Sequence, residues 1–401
     1  MRMRWTWGVA LVAGMLGQAG TAVAQQFMPP PNGAAPIPEP IPCGDSTPNL
    51  VPGPISPLAA PQGPPDCLSL PGNHSNAFPC EKCPPQEFCF FSIGAQGLVR
   101  QKPGQGGIAV LDPQNLDTGI APPTGRPLLQ QFNDINQNVN FGPRFTVGYL
   151  FDDSKSIEFT GFYIFDNYTS IETDKPGRID VFFNHPPLGF EGDNGLWLQA
   201  DRLRTQFNSR IASGELNYRY TDKAVTDVEV LLGVRYIDQR EALNIYTGDD
   251  DLTVRDVNGN PDPVREATYF VGCNNRMICP QLGLEYSKCV GPFAFGVTAK
   301  GAWGVNLIDV ETKLNRGDGL VGFDTHRNTS DFGQIYDIGA YVDFSILERL
   351  RLRAGYNAMW LTGVATAVDN LDFNLANPSG RQSNHGSIFY QGPTMELQFL
   401  F

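Results

Sequence analysis

Hydrophobic and polar side chains alternate along the last eight residues of the chain. The apolar members share one set of alternate positions: Met395, Leu397, Phe399 and Phe401. The polar members lie between them: Thr394, Glu396 and Gln398. Because successive side chains of a strand point to opposite faces, the segment predicts a strand with one lipid-like face and an aromatic end. Such a final strand is typical of bacterial outer-membrane β-barrels, and we interpret Leu397, Phe399 and Phe401 as an insertion signal.

The same period of two recurs from Phe88 to the end of the chain. The longest runs cover 293–307 and 350–364, and shorter ones cover 144–151, 157–166, 215–220, 228–236 and 338–346. Runs of about 15 residues exceed the ~9–11 that one tilted membrane crossing needs. The pattern predicts an all-β fold, a transmembrane antiparallel up-and-down β-barrel of roughly 10–14 strands. About 12 is the best single value, because the number should be even.

A soluble β-sandwich would also alternate apolar and polar residues, and it is the alternative fold. Two features favour the barrel. Many of the runs exceed the ~5–6 residues of an ordinary strand. Trp and Tyr recur at the ends of the runs, where a belt of aromatic residues meets the two membrane–water interfaces.

The connections between the runs are predicted to alternate in length. Tight periplasmic turns are expected at 152–155 and 346–349, and long outer loops at 167–206, 242–264, 309–331 and 366–386. Short turns on the periplasmic side and long loops outside are what barrels of this class prefer.

The amino-terminal part of the chain differs in composition from the rest. Residues 1–24 combine two arginines, a short apolar stretch and Ala22-Val23-Ala24, which predicts a secretory signal peptide cleaved after Ala24. Residues 25–87 are rich in Pro and Cys and predict a disordered or semi-rigid periplasmic tail. That tail is either a passive spacer or a tether that contacts the cell wall. Residues 88–401 form the predicted barrel domain in the bacterial outer membrane.

The composition narrows the classes of function. A formal net charge of −13 at pH 7 argues against nucleic acid as a partner, because binding nucleic acid requires a basic surface. A mean hydropathy of −0.23 excludes a helical membrane protein but suits a barrel, whose apolar residues alternate with polar ones. We expect outer-membrane lipid and the barrel-assembly machinery as partners, and we expect no cofactor.

Eight cysteines in an exported chain predict disulfides, because the periplasm is oxidising. The connectivity stays open, and the short spacing makes Cys273–Cys279 the easiest pair. Cys80 and Cys83 could instead contribute to a zinc site, which would need two further ligands.

Charged residues interrupt the polar faces of the predicted strands. The candidates for lumen charges are Arg349, Arg351, Arg353, Glu215, Glu229, Arg235 and Asp343. A charge cannot face lipid cheaply, so these side chains are predicted to face a wet lumen or to lie near a rim. They form either an anion-preferring constriction or a set of ion pairs that locks a narrow interior, and we favour the ion pairs.

The sequence contains few candidate metal-binding or catalytic residues. Four loop residues offer oxygen ligands at alternate positions, as Ca²⁺ prefers: Asp256, Asn258, Asn260 and Asp262. Pro261 and Ala267 stand where an EF-hand needs Gly and Glu, so a solvated outer loop is the alternative. Ser383-Asn384-His385 is a Ser/His arrangement in a loop rich in Asn and Ser. We therefore expect no catalytic residues and no resident metal.

A series of short motifs follows from about residue 211 to the end of the chain. In order they are Gly214-Glu215-Leu216-Asn217-Tyr218-Arg219, Leu231-Leu232-Gly233-Val234-Arg235-Tyr236, Pro280-Gln281-Leu282-Gly283-Leu284, Lys300-Gly301-Ala302-Trp303-Gly304 and Arg351-Leu352-Arg353-Ala354-Gly355-Tyr356. The series resembles BBP7, a family of outer-membrane barrels of planctomycete type. Residues 364–372 are similar to the late loop motif of that family, with Thr366 and Ala367 where an Arg-Pro pair is usual. The resemblance implies fold and location, and it carries no substrate or catalytic residue.

The function that these observations favour is a structural or passive-diffusion barrel, porin-like and without catalysis. The alternative from another class is a surface adhesin or binding scaffold that acts through the long extracellular loops. An integral-membrane hydrolase is a third hypothesis, which only Ser383 and His385 support.

Overall fold

The computed structural model describes residues 88–112, 126–152, 154–191, 196–221, 227–249, 262–347, 349–377, 383 and 385–401. The predicted signal peptide and the Pro/Cys-rich tail lie outside this set. Three residues of the predicted calcium loop, Asp256, Asn258 and Asn260, lie outside it as well.

Nearly all of the described chain is β-strand. The strands are β1 (Phe88–Arg100), β2 (Gly107–Leu111), β3 (Leu128–Gln131), β4 (Asn140–Asp152), β5 (Lys155–Val181), β6 (Ala200–Thr221), β7 (Val228–Gly248), β8 (Glu266–Val290), β9 (Phe293–Arg316), β10 (Val321–Leu347), β11 (Leu350–Val364) and β12 (Gly386–Leu400). Two 3₁₀ turns cover Phe132–Asp134 and Pro263–Arg265. Within the described ranges, no helix has the length and apolarity that a bilayer crossing requires.

The strands form one antiparallel sheet that closes on itself. Starting from β1, each strand from β4 to β12 pairs with the next, and β12 pairs back with β1 from Phe90↔Leu400 to Arg100↔Tyr390. The sheet holds twelve of the described strands, and ten of them make the ring. The other two, β2 and β3, form a short ribbon on the end of β5 at Ile179–Val181. The predicted all-β antiparallel barrel is confirmed.

The two ends of the barrel differ in their connections. At one end, β4–β5, β8–β9 and β10–β11 are joined by tight turns, and both Phe88 and Phe401 lie there. At the other end lie the long connections 101–139, 182–199, 249–265 and 365–385. Since outer-membrane barrels keep short turns in the periplasm, the end with the tight turns is the inner one.

Large apolar side chains face outward in a continuous belt, here named the membrane band. It includes Ile93, Phe145, Val147, Ile157, Phe159, Leu216, Tyr218, Val230, Leu232, Val234, Ile278, Leu282, Leu284, Val297, Trp303, Val305, Phe332, Ile338, Tyr356, Trp360, Met395 and Leu397. Aromatic pairs lie in its outer half, with ring centroids 6.2 Å apart for Trp303–Tyr336 and 6.4 Å apart for Trp360–Phe389. Such a belt of lipid-facing side chains with aromatic residues toward one side is the surface that a bilayer solvates.

Six strands continue beyond the membrane band and form the outer extension. It comprises residues 166–181, 200–211, 237–248, 266–277, 308–316 and 321–331. The pattern reverses there: on β6, Leu216 and Tyr218 face outward in the band, whereas Leu203 and Phe207 are buried inside the extension and Arg204 faces outward. Side chains alternate between the two faces along the whole strand. In the band the apolar residues lie on the outer face, and in the extension they lie on the inner face.

This reversal explains why the predicted outer loops are too long. The prediction of a loop at 309–331 is wrong, because β9 and β10 run through it and only the turn 317–320 joins them. Residues 167–206 and 242–264 likewise contain long parts of β5, β6 and β7. Without apolar residues on the outward face, these parts lacked the feature by which membrane strands were recognised.

Cys273 and Cys279, the pair that the short spacing made easiest while the connectivity stayed open, do not form a disulfide. Both residues lie on β8, both side chains are buried inside the barrel, and both thiols are free. Six residues of a strand span about 20 Å, far more than the ~4.4–6.8 Å between the Cα atoms of a disulfide. Cys289 at the end of β8 is disulfide-bonded. The rest of the expected disulfides stays a prediction, because Cys43, Cys67, Cys80 and Cys83 lie outside the described residues.

We expect Leu232→Arg to lower the free energy of unfolding from a lipid bilayer by about 2–4 kcal/mol, because it places a cation in hydrocarbon. Leu232 is 60% exposed on the outward face of β7. Asn244→Arg is the matched control, since it lies on the same strand and face but in the outer extension. Denaturant titration of the folded, heat-modifiable form in vesicles measures both. Equal losses for the two variants would contradict the position of the membrane band.

Candidate functional site

Charged side chains fill the inner half of the bore, in a set here named the polar layer. Its members are Ser92, Arg144, Glu158, Glu215, Arg219, Glu229, Arg235, Glu285, Lys300, Asp337, Asp343, Arg351, Arg353 and Glu396. The strand alternation brings them together, because each lies opposite a lipid-facing neighbour on its own strand. Six are basic and seven acidic, so the layer has no large excess of either charge.

Arg219 of β6 is the centre of one group of ion pairs. Its guanidinium lies 2.8 Å from Glu158, 2.6 Å from Glu285 and 3.1 Å from Glu229. Tyr341 of β10 donates its hydroxyl to Glu285. A guanidinium offers five N–H donors in a fixed plane, so one arginine can satisfy several carboxylates from different strands.

Arg235 of β7 is the centre of a second group, which is more deeply buried. Its side chain is 1% exposed, and its guanidinium lies 3.0 Å from Asp337 and 3.5 Å from Glu215. Lys300 lies 2.8 Å from the other oxygen of Glu215. Two cations thus face two anions, as groups withdrawn from water must.

Two further pairs line the wall near the inner end. Arg353 holds both oxygens of Asp343, at 2.7 and 2.8 Å, and its guanidinium carbon lies 4.0 Å from the centroid of the Tyr341 ring. Arg144 lies 2.6 Å from Glu396, which also accepts a 2.7 Å hydrogen bond from Ser92. The first pair joins the neighbouring strands β10 and β11, and the second set joins the neighbouring strands β4, β1 and β12 along the wall.

Of the seven lumen candidates, the structure places six on the inner face and Arg349 elsewhere. Arg349 is exposed in the turn between β10 and β11, where the chain reverses and has no inner face. Sequence reasoning did not single out Glu158, Arg219, Glu285, Lys300 or Glu396. Four of these five stood on the polar faces of predicted strands. Only Glu285 lay in a stretch where no strand was predicted, although Leu282, Leu284 and Tyr286 alternate there.

A cavity of about 220 Å³ lies within the polar layer. It extends to the tight turns, where Ser154, Lys155 and Thr221 line it, and inward to Lys300 and Glu396. Most of the charged groups in its wall are already paired with one another. The cavity can therefore hold water from the periplasmic side, but it presents no cluster of unpaired charges of one sign.

Apolar strand residues close the bore beyond this cavity, in the middle layer. It consists of Leu98, Phe162, Ile164, Ile211, Ile237, Met277, Cys279, Ala302, Ile335, Met359, Leu361, Val364, Ile388 and Tyr390. Each is at most 5% exposed. A barrel of about eight strands is just wide enough for side chains to fill, and ten strands are close to that limit.

A second apolar cluster, the outer core, fills the interior of the outer extension. Its members include Ile108, Phe132, Ile179, Phe183, Phe190, Trp197, Phe207, Ile245, Tyr269, Val271, Ile308, Leu314, Ala367, Leu371 and Leu375. Described parts of the connections 101–139, 182–199 and 365–385 supply some of these residues, so those parts fold into the mouth of the barrel. Trp197 shows how, since its ring packs 4.8 Å from that of Phe183 and its indole N–H donates to the Phe190 carbonyl at 3.0 Å.

Side chains of the strands hold the β11–β12 connection inside the bore, and these contacts are here named the latch. Asn275 donates to the Ala365 carbonyl and accepts from the Ala365 N–H, both at 2.8 Å. Asn306 donates to the Gly363 carbonyl at 2.9 Å, and Glu241 accepts from the Ala367 N–H at 3.1 Å. The latch thus holds the start of the 364–372 segment.

Gly363 allows the chain to turn inward at the end of β11. Its φ of +70° belongs to the left-handed region, which side chains other than Gly rarely adopt. A Cβ atom there would also lie 2.2 Å from the Phe332 carbonyl oxygen. The inward path of the latch therefore depends on this glycine.

The catalytic and metal candidates do not come together. The backbone N–H of Ser383 donates to Asn370 at 3.1 Å, whereas the 84% exposed ring of His385 lies 3.5 Å from Asp331. Asp262 caps the turn Pro263–Arg265 by accepting from the Val264 N–H at 3.1 Å. Across the described ranges, no three His, Cys, Asp or Glu side chains are grouped to hold a metal ion.

Comparisons with known proteins agree with this architecture. The family model described as "Putative beta barrel porin-7 (BBP7)" matches residues 112–385, more than half of the chain. No curated protein matches.

Among solved structures, the outer-membrane protease OmpT of Escherichia coli is 12% identical over 79% of this chain and 96% of its own, with a TM-score of 0.40. The toluene transporter TbuX of Ralstonia pickettii is 9% identical over 79% and 89%, with a TM-score of 0.29. At these sequence identities and TM-scores, neither structure supports a conclusion about the chemistry of this chain.

We expect Arg235→Ala to lower the free energy of unfolding by about 3–5 kcal/mol, because it removes a buried cation that pairs with the buried Glu215 and leaves the partly buried Asp337 without an ion-pair partner among the described residues. Arg349→Ala is the control, since it removes the same charge from an exposed turn and should cost almost nothing. Denaturant titration in one detergent compares them. A loss below ~1 kcal/mol for Arg235→Ala would mean that water reaches the second group of ion pairs.

Proposed function

The chain belongs to the BBP7 family, and we propose that it is a closed outer-membrane barrel with a structural role and no catalytic activity. The single observation that carries this proposal is the middle layer. Apolar side chains from the strands themselves fill the bore there, above a cavity that reaches only the periplasmic end.

Physical reasoning favours a closed barrel over a passive-diffusion pore. An ion or sugar that crossed the middle layer would lose its water without gaining polar partners, at a cost of several kcal/mol. The polar layer is nearly neutral, and its charges are paired with one another except Arg351, which forms no ion pair with the described residues. One such cation does not make the positively charged ring of an anion constriction. The latch adds backbone hydrogen bonds that would have to break before the outer core could leave the mouth.

A surface scaffold is the second candidate function, and the outer extension favours it. Six strands stand beyond the membrane band around an apolar core, so this part of the molecule is a firm platform. Loops on a rigid frame are the usual carriers of binding residues. A structural barrel and a scaffold are compatible, because neither requires an open bore.

Planar-bilayer recording tests the closed bore. We expect the full chain to give no steady conductance, because the strands seal the bore. Replacing residues 365–385 by an Asn-Gly turn is the informative variant, since Val364 and Gly386 are register partners and a short turn can join them. It should stay silent, because the middle layer remains.

The controls for this recording are a known porin in the same bilayer and heat-modifiable migration of both proteins. Steady conductance by the unaltered chain would overturn the proposal. Conductance that appears only when 365–385 are removed would instead make the latch a gate over a diffusion path.

We infer further that the chain is exported and cleaved after Ala24, and that the barrel-assembly machinery reads Leu397, Phe399 and Phe401. Leu397 faces outward on the last strand and Phe401, which follows the end of that strand, is exposed; both positions support the second inference. The tail, 25–87, is then a periplasmic segment in reach of the cell wall.

Sequencing the amino terminus of the protein from outer membranes should give Gln25 as the first residue. Replacing Ala22 and Ala24 by bulky residues should block cleavage and leave the longer form, because signal peptidase sites need small side chains. The same pair of substitutions at Ala34 and Ala35 is the control. A mature chain that retains Met1 would contradict the signal peptide.

A further inference from the structure

A polar hollow of about 380 Å³ lies on the outer wall of the barrel, beyond the membrane band. The strand register defines it. One row across the sheet is Arg210↔Arg240↔Asn274↔Asp309↔Asn328, and the next row outward is Asn208↔Ala242↔Gly272↔Glu311↔His326. All of these positions face outward, as the exposed apolar residues lower on the same strands do.

Small residues create the hollow. Ala242 and Gly272 are register partners at the centre of the second row, so two adjacent strands carry nothing larger than a methyl group there. A Cβ atom on Gly272 would meet the Phe270 ring at 2.9 Å and the Glu311 Cβ at 3.9 Å. Gly in the interior of a strand weakens it and often marks close approach of a ligand.

Two arginines lie directly opposite each other on the membrane side of the hollow. Arg210 of β6 and Arg240 of β7 are register partners, and like charges in that position destabilise a sheet. Asp238 binds Nε and Nη2 of Arg240, at 3.2 and 3.0 Å, and Arg210 lies over the ring of Tyr163 at 6.0 Å. The chain carries a net charge of −13, which makes this basic pair stand out and suggests that it meets an anion.

Acceptor atoms line the rest of the hollow. The side-chain carbonyl oxygens of Asn208 and Asn274 are enclosed, and neither finds a hydrogen-bond partner among the described residues. Asp309 lies 2.7 Å from the ring of His326, and Glu311 pairs with Lys313. Enclosed acceptors without donors cost free energy, so this wall fits a ligand rich in hydroxyl groups.

The position relative to the bilayer restricts the ligand further. On β8 the row of Arg276 follows directly on Ile278 of the membrane band, and the arginine pair lies one row beyond. This is the level of the lipid headgroups. The basic side chains and the acceptors Asn274 and Asp309 share one row, and Asn208 lies one row further out. A phosphorylated sugar at the level of the headgroups would therefore meet both kinds of group.

We propose that this hollow binds the headgroup of a phosphorylated glycolipid of the outer leaflet. Arg210 and Arg240 take the phosphate, because guanidinium groups match its oxygens in charge and geometry. Asn208, Asn274 and Asp309 accept hydrogen bonds from the sugar hydroxyls. The proposal is independent of the closed bore, since a conducting barrel would present the same outer wall.

Native mass spectrometry of the full chain released from detergent tests the proposal. The probes are diphosphorylated lipid A, the same lipid with both phosphates removed, phosphatidylcholine and inorganic phosphate. We expect one lipid A molecule to stay bound, at least tenfold weaker binding of the dephosphorylated lipid, and none of the other two. The melting temperature of the folded band should rise with lipid A alone.

The double variant Arg210→Gln and Arg240→Gln should weaken lipid A binding at least tenfold. Arg202→Gln is the matched control, because Arg202 faces outward on the same strand but pairs with Glu172 and Asp174 far from the hollow. It should bind as the unaltered chain does. Gly272→Thr should also weaken binding while every charge stays, because its side chain fills the hollow. Heat-modifiable migration shows that each variant is folded.

Two results would overturn the proposal. Equal binding of lipid A by the double variant and by Arg202→Gln would mean that the arginine pair is not the phosphate site. A response to inorganic phosphate as large as that to lipid A would mean that the pair holds a free anion and that no lipid headgroup is recognised.

Discussion

The rest of the structure depends on the closure of the hydrogen-bonded ring between β1 and β12. Hydrocarbon offers no partner to a backbone N–H or C=O, so a sheet can cross a bilayer only when no strand has an open edge. The unbroken register from Phe90↔Leu400 to Arg100↔Tyr390 removes that edge. Once the ring is closed, every strand side chain within the membrane faces either the lipid or the bore.

Closure with ten strands also determines what the bore can contain. A ring this narrow leaves little space beyond its own side chains, so each charge inside has to find a partner within the wall. Arg219 does so by contacting acids from three strands, and Arg235 by contacting acids from two. The ion pairs therefore connect strands that are distant in sequence, and they add specificity to a register that backbone hydrogen bonds alone would not enforce.

The fold could be predicted from the sequence wherever a strand carries lipid-facing apolar residues at alternate positions. The last strand, the run 293–307 and the tight turns at 152–155 and 346–349 follow from outward apolar residues at alternate positions. The polar faces of these strands also pointed to Arg353 and Glu215 as groups of the bore. Their partners could not be predicted, because Asp337 and Lys300 meet Arg235 and Glu215 only after the ring has closed.

The outer extension and the latch escaped prediction for a different reason. Beyond the bilayer both faces of a strand meet protein or water. The outward face therefore no longer carries apolar residues, although the strand continues. The Cys273–Cys279 spacing misled in the same way, because proximity in sequence means separation along an extended strand. Gly363 and Asn275 carry no periodic signal at all, since their role depends on one backbone turn and two amide contacts.

The glycines of the wall show how the inner and outer faces of the barrel differ. A Cβ atom on the inward Gly233 would lie 2.3 Å from the Asn217 side-chain oxygen, and one on the inward Gly339 would lie 2.7 Å from that of Asn357. These glycines give room to neighbours that the protein itself supplies. Outward Gly272 gives room only to the edge of the Phe270 ring, beside a hollow lined by polar groups. A strand weakened by glycine without an internal occupant is better explained by an external one, and at this height on the wall the available molecules are the lipids of the outer leaflet.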